Sequence, residues 1–200
     1  MSERISLNPL ALERIQAEFK NAQDSVDGTI PVIEAADKIS ELIFNDTLTN
    51  FENWRGLKRY RDNLISEQFP LTILTFDLDN LKKINDNPDP DIGGHANGNK
   101  YILSFVKFVN GIFPDTKKFR FGGDEFIVPV ANIDPKELTT IYQKLEVFNK
   151  KEQNPNKLEF TYAFHIAHSK EDFYDALERS DNKLVKAKKS KKSQISLSNS

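Results

Sequence analysis

No cysteine occurs among the 200 residues. Disulfides and thiolate metal sites are therefore excluded, any metal must be held by oxygen or histidine, and the redox environment stays open. Long apolar runs are missing as well: no stretch approaches the roughly 20 residues needed to cross a bilayer. The opening Met1-Ser2-Glu3-Arg4 lacks the basic and apolar regions of a secretory signal. A cytoplasmic protein without membrane contact is the expectation. Nor is there an excess of one charge, since 28 basic and 30 acidic side chains leave a formal net charge of -2. Duplex nucleic acid would meet no overall attractive field. The exception is local: Lys183, Lys186, Lys188, Lys189, Lys191 and Lys192 crowd one C-terminal stretch, where most of them read as a solvated helix end.

Apolar and aromatic side chains, by contrast, are plentiful at 38% and 10%, with 15 Phe, enough for a packed interior and against general disorder. The length fits one domain plus a short appendage. Residues 1–45 supply the appendage, with Leu10, Leu12, Ile15 and Phe19, then Ile33, Ala36, Ile39, Leu42 and Ile43, at roughly helical spacing on either side of Asp27-Gly28 and Pro31. A helical hairpin for regulation or dimerisation and a plain packing appendage are both compatible with this pattern.

The spacing predicts a helix from Phe51 to about Ser66, with Trp54, Leu57, Tyr60 and Leu64 on one face and Pro70 beyond it. Then follow a strand from Leu71 to Phe76, a short helix from Asn80 to Asn85, a loop from Asp86 to Gly94 and a helix from about Asn97 to Ile112. A hairpin of Lys118 to Phe121 and Phe126 to Val130, a helix from Pro135 to Phe148, a strand from Leu158 to Ala167 and a helix from Lys170 to Lys188 complete the order. Strand-helix-strand-strand-helix-strand-helix is an α+β arrangement, compatible with a ferredoxin-like sheet that contains antiparallel strands and is flanked by helices. This globular part spans 46–192, and 193–200 read as a polar tail.

Two places in that order carry chemistry. Arg120-Phe121-Gly122-Gly123-Asp124-Glu125-Phe126 sets two glycines and two acids at a hairpin tip, where bare backbone lets another molecule approach. Asp77-Leu78-Asp79 sets acids at the carboxyl end of a central strand, the edge at which open α/β sheets tend to bind ligands. Neighbouring strands could bring Asp77 and Glu125 together. Hard carboxylates select Mg2+ or Mn2+, and magnesium is commonly shared between a few carboxylates and the phosphates of a nucleoside triphosphate. Each acid taken alone is more simply a solvated turn residue.

Several ordered blocks agree with one family: Asp46-Thr47-Leu48-Thr49 with Asn53 and Arg55, Phe76 to Asp86, Gly94-His95 with Gly98, Arg120 to Phe126, and Asp181 with Ala187-Lys188. From about Asp46 to Lys192 the chain resembles the GGDEF family of diguanylate cyclases, whose palm-like domain is similar to that of some nucleotide polymerases. The resemblance implies a Mg2+-dependent homodimer that condenses two GTP into cyclic di-GMP, each 3'-hydroxyl attacking the other α-phosphate with loss of pyrophosphate. It implies Asp77, the Leu78 carbonyl and Glu125 as metal ligands, Asp124 and Glu125 in hydroxyl activation, and Lys82 stabilising phosphate charge. It further implies phosphate binding by the main chain at Asn80 and Leu81 and by Lys188 and Lys192, base contacts from Asn85, with His95 beside it, and close ligand approach at Gly122 and Gly123.

The departures from the family pattern are specific. Asn99 stands where an aspartate usually reads guanine, and an amide offers one acceptor and one donor, which complements adenine. ATP therefore competes with GTP as the expected substrate, with an adenine-containing cyclic dinucleotide as product. The loop between Asn85 and His95 is longer, adding Pro88, Asp89, Pro90 and Asp91. Phe113-Pro114-Asp115-Thr116 replaces the inhibitory Arg-x-x-Asp motif of many members, Lys192 replaces an arginine, and Val185 and His165 are further changes read as packing. A non-catalytic nucleotide-binding module, or a partner-binding protein working through its N-terminal helices, are the other readings.

Overall fold

The computed structural model describes residues 13–18, 20, 30–149 and 158–198, with side chains described over 34–148 and 158–190 in the two long segments. Leu10, Leu12, Phe19 and Asp27-Gly28 lie outside the described residues. Residues 13–18 are helical, and Lys38 Nζ lies 3.4 Å from Glu18 Oε2 on their turn. The next helix, α1, runs Ile30–Phe44. It buries Ala35, not Ala36 as the spacing predicted.

Helix α2, Trp54–Asp62, starts later than expected because Asn53 caps it, and ends earlier, at Asn63, whose side chain and N–H turn back to the Arg59 carbonyl. The Asn53 side chain accepts from Arg55 N at 2.8 Å and Gly56 N at 3.2 Å, taking up donors that a helix start leaves unpaired. Strand β1, Leu71–Leu78, is followed by α3, Leu81–Asn85, and α4, Gly94–Ile112. Then come β2, Phe119–Arg120, β3, Glu125–Ala131, α5, Pro135–Asn149, β4, Phe160–Ala167, and α6, Phe173–Ser198. Helix α4 begins three residues before the predicted Asn97. Helix α6 runs through most of the stretch read as a tail, since its Lys, Ser and Gln residues offer neither glycine nor proline to stop it.

The four strands are ordered β2-β3-β1-β4, and each neighbouring pair is antiparallel. This is the expected ferredoxin-like α+β sheet. Strand β1 is central and covered on both faces, which explains its nearly continuous apolar run. Leu74, Phe76 and Leu78 enter one core with Phe105 and Val109 of α4 and Ile141 and Leu145 of α5. Leu71 and Ile73 enter the other with Leu57 of α2 and Phe173, Ala176 and Leu177 of α6. Each such burial contributes about 1.5–3 kcal/mol before entropy is counted. Phe76, with no exposed surface, meets the rings of Phe105, Phe113 and Phe160 edge-on at 5.6–6.5 Å. The two cores clamp β1, so the groups at its carboxyl end sit on a rigid base.

Candidate active site

Strand alternation decides which residues of β1 face α6. Leu71, Ile73, Thr75 and Asp77 share that face, because successive side chains point to opposite sides. Asp77 pairs with Glu125 across β3 and with Thr161 across β4. Directly opposed residues of an antiparallel pair hold their Cβ atoms about 5 Å apart on the same face, so the strand register puts the two acids side by side. Leu78 N–H donates to the Asp124 carbonyl at 2.9 Å and extends that pairing beyond the strands.

Helix α6 supplies the other wall. Ala176, Ser180, Leu184 and Lys188 recur at four-residue spacing, so they form one stripe. Ser180 Oγ lies 2.8 Å from Thr75 Oγ1 in the interior. Two turns on, the Lys188 ammonium lies against Asp77 Oδ1 and 4.0 Å from Asp79 Oδ1. Burial pushes the Asp77 carboxyl up, Lys188 pulls it back, and Asp124 and Asp79 repel it. Burial likewise raises Glu125, and Asp124, Asp77 and Asp181 add repulsion. Asp181 belongs to the family-like blocks, but no role was expected of it. Its influence on Glu125 becomes visible only when α6 is laid on the sheet.

Beside these acids lies a cavity of about 650 Å3, to whose lining Leu78, Asp79, Asn80, Leu81, Lys82, Asp124, Glu159 and Lys188 contribute. The turn from β1 to α3 is tightly held. Asn80 adopts φ 66, a left-handed conformation that asparagine tolerates, and its Nδ2 donates to Glu159 Oε2 at 2.9 Å. Asp79 N–H donates to the Glu159 carbonyl at 2.9 Å, and Thr161 Oγ1 lies 3.1 and 3.2 Å from the two Asp79 carboxylate oxygens. The Tyr101 hydroxyl shares its proton between the Asp79 and Glu159 carbonyls, each at 3.0 Å, and accepts from Glu159 N–H at 2.7 Å.

The expected base-contacting residues lie apart from this cavity's lining. Asn85 ends α3, while His95 and Asn99 are exposed on α4. Gly98 lets the two helices approach, since a Cβ there would meet Asn85 Oδ1 at 2.0 Å. Gly122 and Gly123 line a different cavity of about 1140 Å3 with Trp54, Arg55 and Phe121. Neither glycine adopts a positive φ, so turn geometry does not demand them. A Cβ at Gly122 would stand 2.6 Å from Glu125 Oε2, whereas one at Gly123 would meet nothing within 4 Å. The side chain of Lys192 is outside the described residues.

Two residues of the family-like blocks brace the hairpin. Asp46 accepts from Thr49 N at 2.9 Å, Thr49 Oγ1 at 2.7 Å and Arg120 Nη1 at 3.0 Å. Burial raises its carboxyl, but these hydrogen bonds outweigh that and hold it below the usual range. Arg120 Nη2 then donates to the Gly123 carbonyl at 2.6 Å, so the tip is tied to the start of the globular part.

Among the described residues no three acids or histidines form a ready metal cage. Two carboxylates that repel each other, an adjacent main-chain carbonyl and a lysine already neutralising one acid fit a Mg2+-type cation whose remaining oxygens come from phosphates and water. No helix among the described residues is long and apolar enough to cross a membrane.

Comparison with known proteins supplies the family. A probable diguanylate cyclase of Escherichia coli, DgcI, is 32% identical over 127 residues, which are 60% of this chain and 26% of the relative. A diguanylate cyclase of Vibrio cholerae is 27% identical over 177 residues, 79% of this chain and 50% of the relative. The chain thus spans half or less of the length of these curated relatives. A solved microbial GGDEF domain, described with cyclic di-GMP, superposes with a TM-score of 0.61 at 25% identity, over 76% of this chain and 94% of its own. The coiled coil and GGDEF domain of DgcB from Caulobacter crescentus superposes with a TM-score of 0.67 at 19% identity, over 88% and 95%, a likeness of fold alone. Residues 43–194 match the family described as diguanylate cyclase, GGDEF domain, and the protein belongs to that family.

Proposed function

We propose that the protein condenses two nucleoside triphosphates into a cyclic dinucleotide, with Mg2+ or Mn2+ as cofactor. The observation that carries this is the register pairing of Asp77 with Glu125 beneath Lys188. A divalent ion held by Asp77, Glu125 and the Leu78 carbonyl would neutralise the triphosphate and its leaving group. Lys188 exchanges Asp77 for a phosphate oxygen, and Lys82, exposed at the cavity, adds charge to the phosphates. The first main-chain N–H groups of α3 lack intrahelical partners, so Asn80 and Leu81 offer donors there. Asp124, with help from Glu125, takes the proton of the attacking 3'-hydroxyl. An O3'–Pα bond forms as the bond from Pα to the pyrophosphate oxygen breaks. Closing the ring needs a second copy that presents its nucleotide in the opposite direction, hence a homodimer.

GTP is the default substrate of this reading, and Asn99 gives ATP specific support. Its exposed amide lies on the same helix as His95, with Gly98 pressed on Asn85. The test is to incubate the protein with Mg2+ and GTP, ATP or both, and to identify the products by mass spectrometry. Cyclic dinucleotide and pyrophosphate are expected. Asn99→Asp should shift the product toward guanine by about tenfold, the weight of one mispaired hydrogen-bonding edge. Tight nucleotide binding without turnover would instead mark a non-catalytic module, and linear or hydrolysed nucleotide alone would refute the cyclase.

A further inference from the structure

We propose that Tyr101 is a positioning residue: its hydroxyl fixes the helix that carries the base-contacting side chain to the main chain that receives the phosphates. The inference rests on the nucleotide reading above and deepens it.

Tyr101 lies on α4, two residues after Asn99. Its hydroxyl meets no side chain among the hydrogen bonds described. Its three partners are main-chain atoms, the Asp79 carbonyl and the carbonyl and N–H of Glu159. Asp79 immediately precedes Asn80, where the phosphate-binding main chain begins. Glu159 opens the way into β4, and its carboxylate holds the Asn80 side chain at 2.9 Å. One oxygen therefore joins three pieces of chain: the base helix, the phosphate turn and the sheet edge beside Asp77.

Packing alone does not call for this group. The ring of Tyr101 is partly buried against the larger core, and the chain fills that core mainly from its 15 Phe. A phenylalanine would fill the same space. What the hydroxyl adds is a fixed distance between the phosphate turn and Asn99, which sits on a separate element, while Asn85 ends the helix that the phosphate turn begins. A nucleotide that bridges two fixed subsites gains over its two halves, because binding one half delivers the other at high local concentration. That gain depends on the spacing being held, and the Tyr101 hydroxyl adds a polar tie to the packing of Gly98 on Asn85.

The test compares wild type with Tyr101→Phe by calorimetry and ligand-observed NMR. The probes are Mg2+ with a non-hydrolysable GTP or ATP analogue, Mg2+ with pyrophosphate, and guanosine or adenosine alone. Affinity for the whole nucleotide should fall about tenfold in the variant, while affinities for pyrophosphate and nucleoside change less than about twofold. Amide exchange should quicken at Glu159 with the rest of the sheet unchanged, which also reports that the variant is folded. Unchanged affinity for the whole nucleotide would overturn the inference, as would a fragment affinity falling as far as that of the whole. Wild type that binds no nucleotide would refute the nucleotide reading, and this inference with it.

Discussion

At the scale of single residues, the site stores repulsion. Asp77 and Glu125 are both raised above the ordinary carboxylate range, by burial first and by neighbouring acids next. A carboxyl raised in the folded state binds its proton more tightly there than in the unfolded chain, so its contribution to stability falls as pH rises through the raised pKa. Glu125→Gln removes one such charge. In metal-free protein at neutral pH the variant should melt higher than wild type. Its exposed setting screens the effect to about 0.5 kcal/mol, roughly 1–2 °C in Tm. The difference should vanish below about pH 4, where free carboxyls are protonated as well. Calorimetry across pH checks it, and a variant that melts lower at neutral pH would contradict it. Asp46 carries the opposite sign, adding stability above its ordinary pKa that is lost as pH falls through the lowered value.

At the scale of elements, α6 does two jobs along one stripe. Its first half packs Phe173, Ala176 and Leu177 on the sheet, and its later turns deliver Lys188 to Asp77. Lys188→Met keeps the stem and removes the charge. A cation about 4 Å from a divalent ion costs it about 2 kcal/mol even in water, so Mg2+ should bind the nucleotide-free variant roughly thirtyfold more tightly while turnover drops. Titration calorimetry and product assay check the two halves separately. Much of this level was legible in sequence. Strand β1 announced itself because both of its faces are buried, and Asp77 and Asp79 because they close the apolar run that was read as ending at Phe76, although the strand itself continues to Leu78. The meeting of Lys188 with Asp77 could not be read from spacing, since it depends on how α6 lies across the sheet. Nor could the start of α2, which Asn53 and its side-chain contacts decide, or the Tyr101 bridge, whose partners are main-chain atoms 22 and 58 residues away.

At the scale of the whole molecule, the boundary between appendage and globular part is the matter to test. A cut after residue 45 was the sequence expectation. The structure seats the end of α1 firmly: the Asn53 side chain donates to the Ile43 carbonyl at 2.9 Å, and Asn53 N–H to the Phe44 carbonyl at 2.6 Å. The Arg59 guanidinium lies 3.9 Å from the centre of the Phe44 ring. Deleting 1–45 should therefore cost about 2–3 kcal/mol from the lost cap partners and the ring contact. Deleting 1–29, before α1 begins, should cost far less. Urea unfolding of both truncations checks this, and equal midpoints would support the border at residue 45.

The tether between Arg120 and Asp46 has a consequence for anyone exploring variants of the hairpin tip. The guanidinium is mostly enclosed, with its side chain 12% accessible, and an enclosed cation stripped of its counterion is far costlier than an absent pair. Changing either partner by itself should therefore appear as a folding defect before it appears as a chemical one. Swapping both for neutral groups of matching shape is the way to learn what the tip contributes.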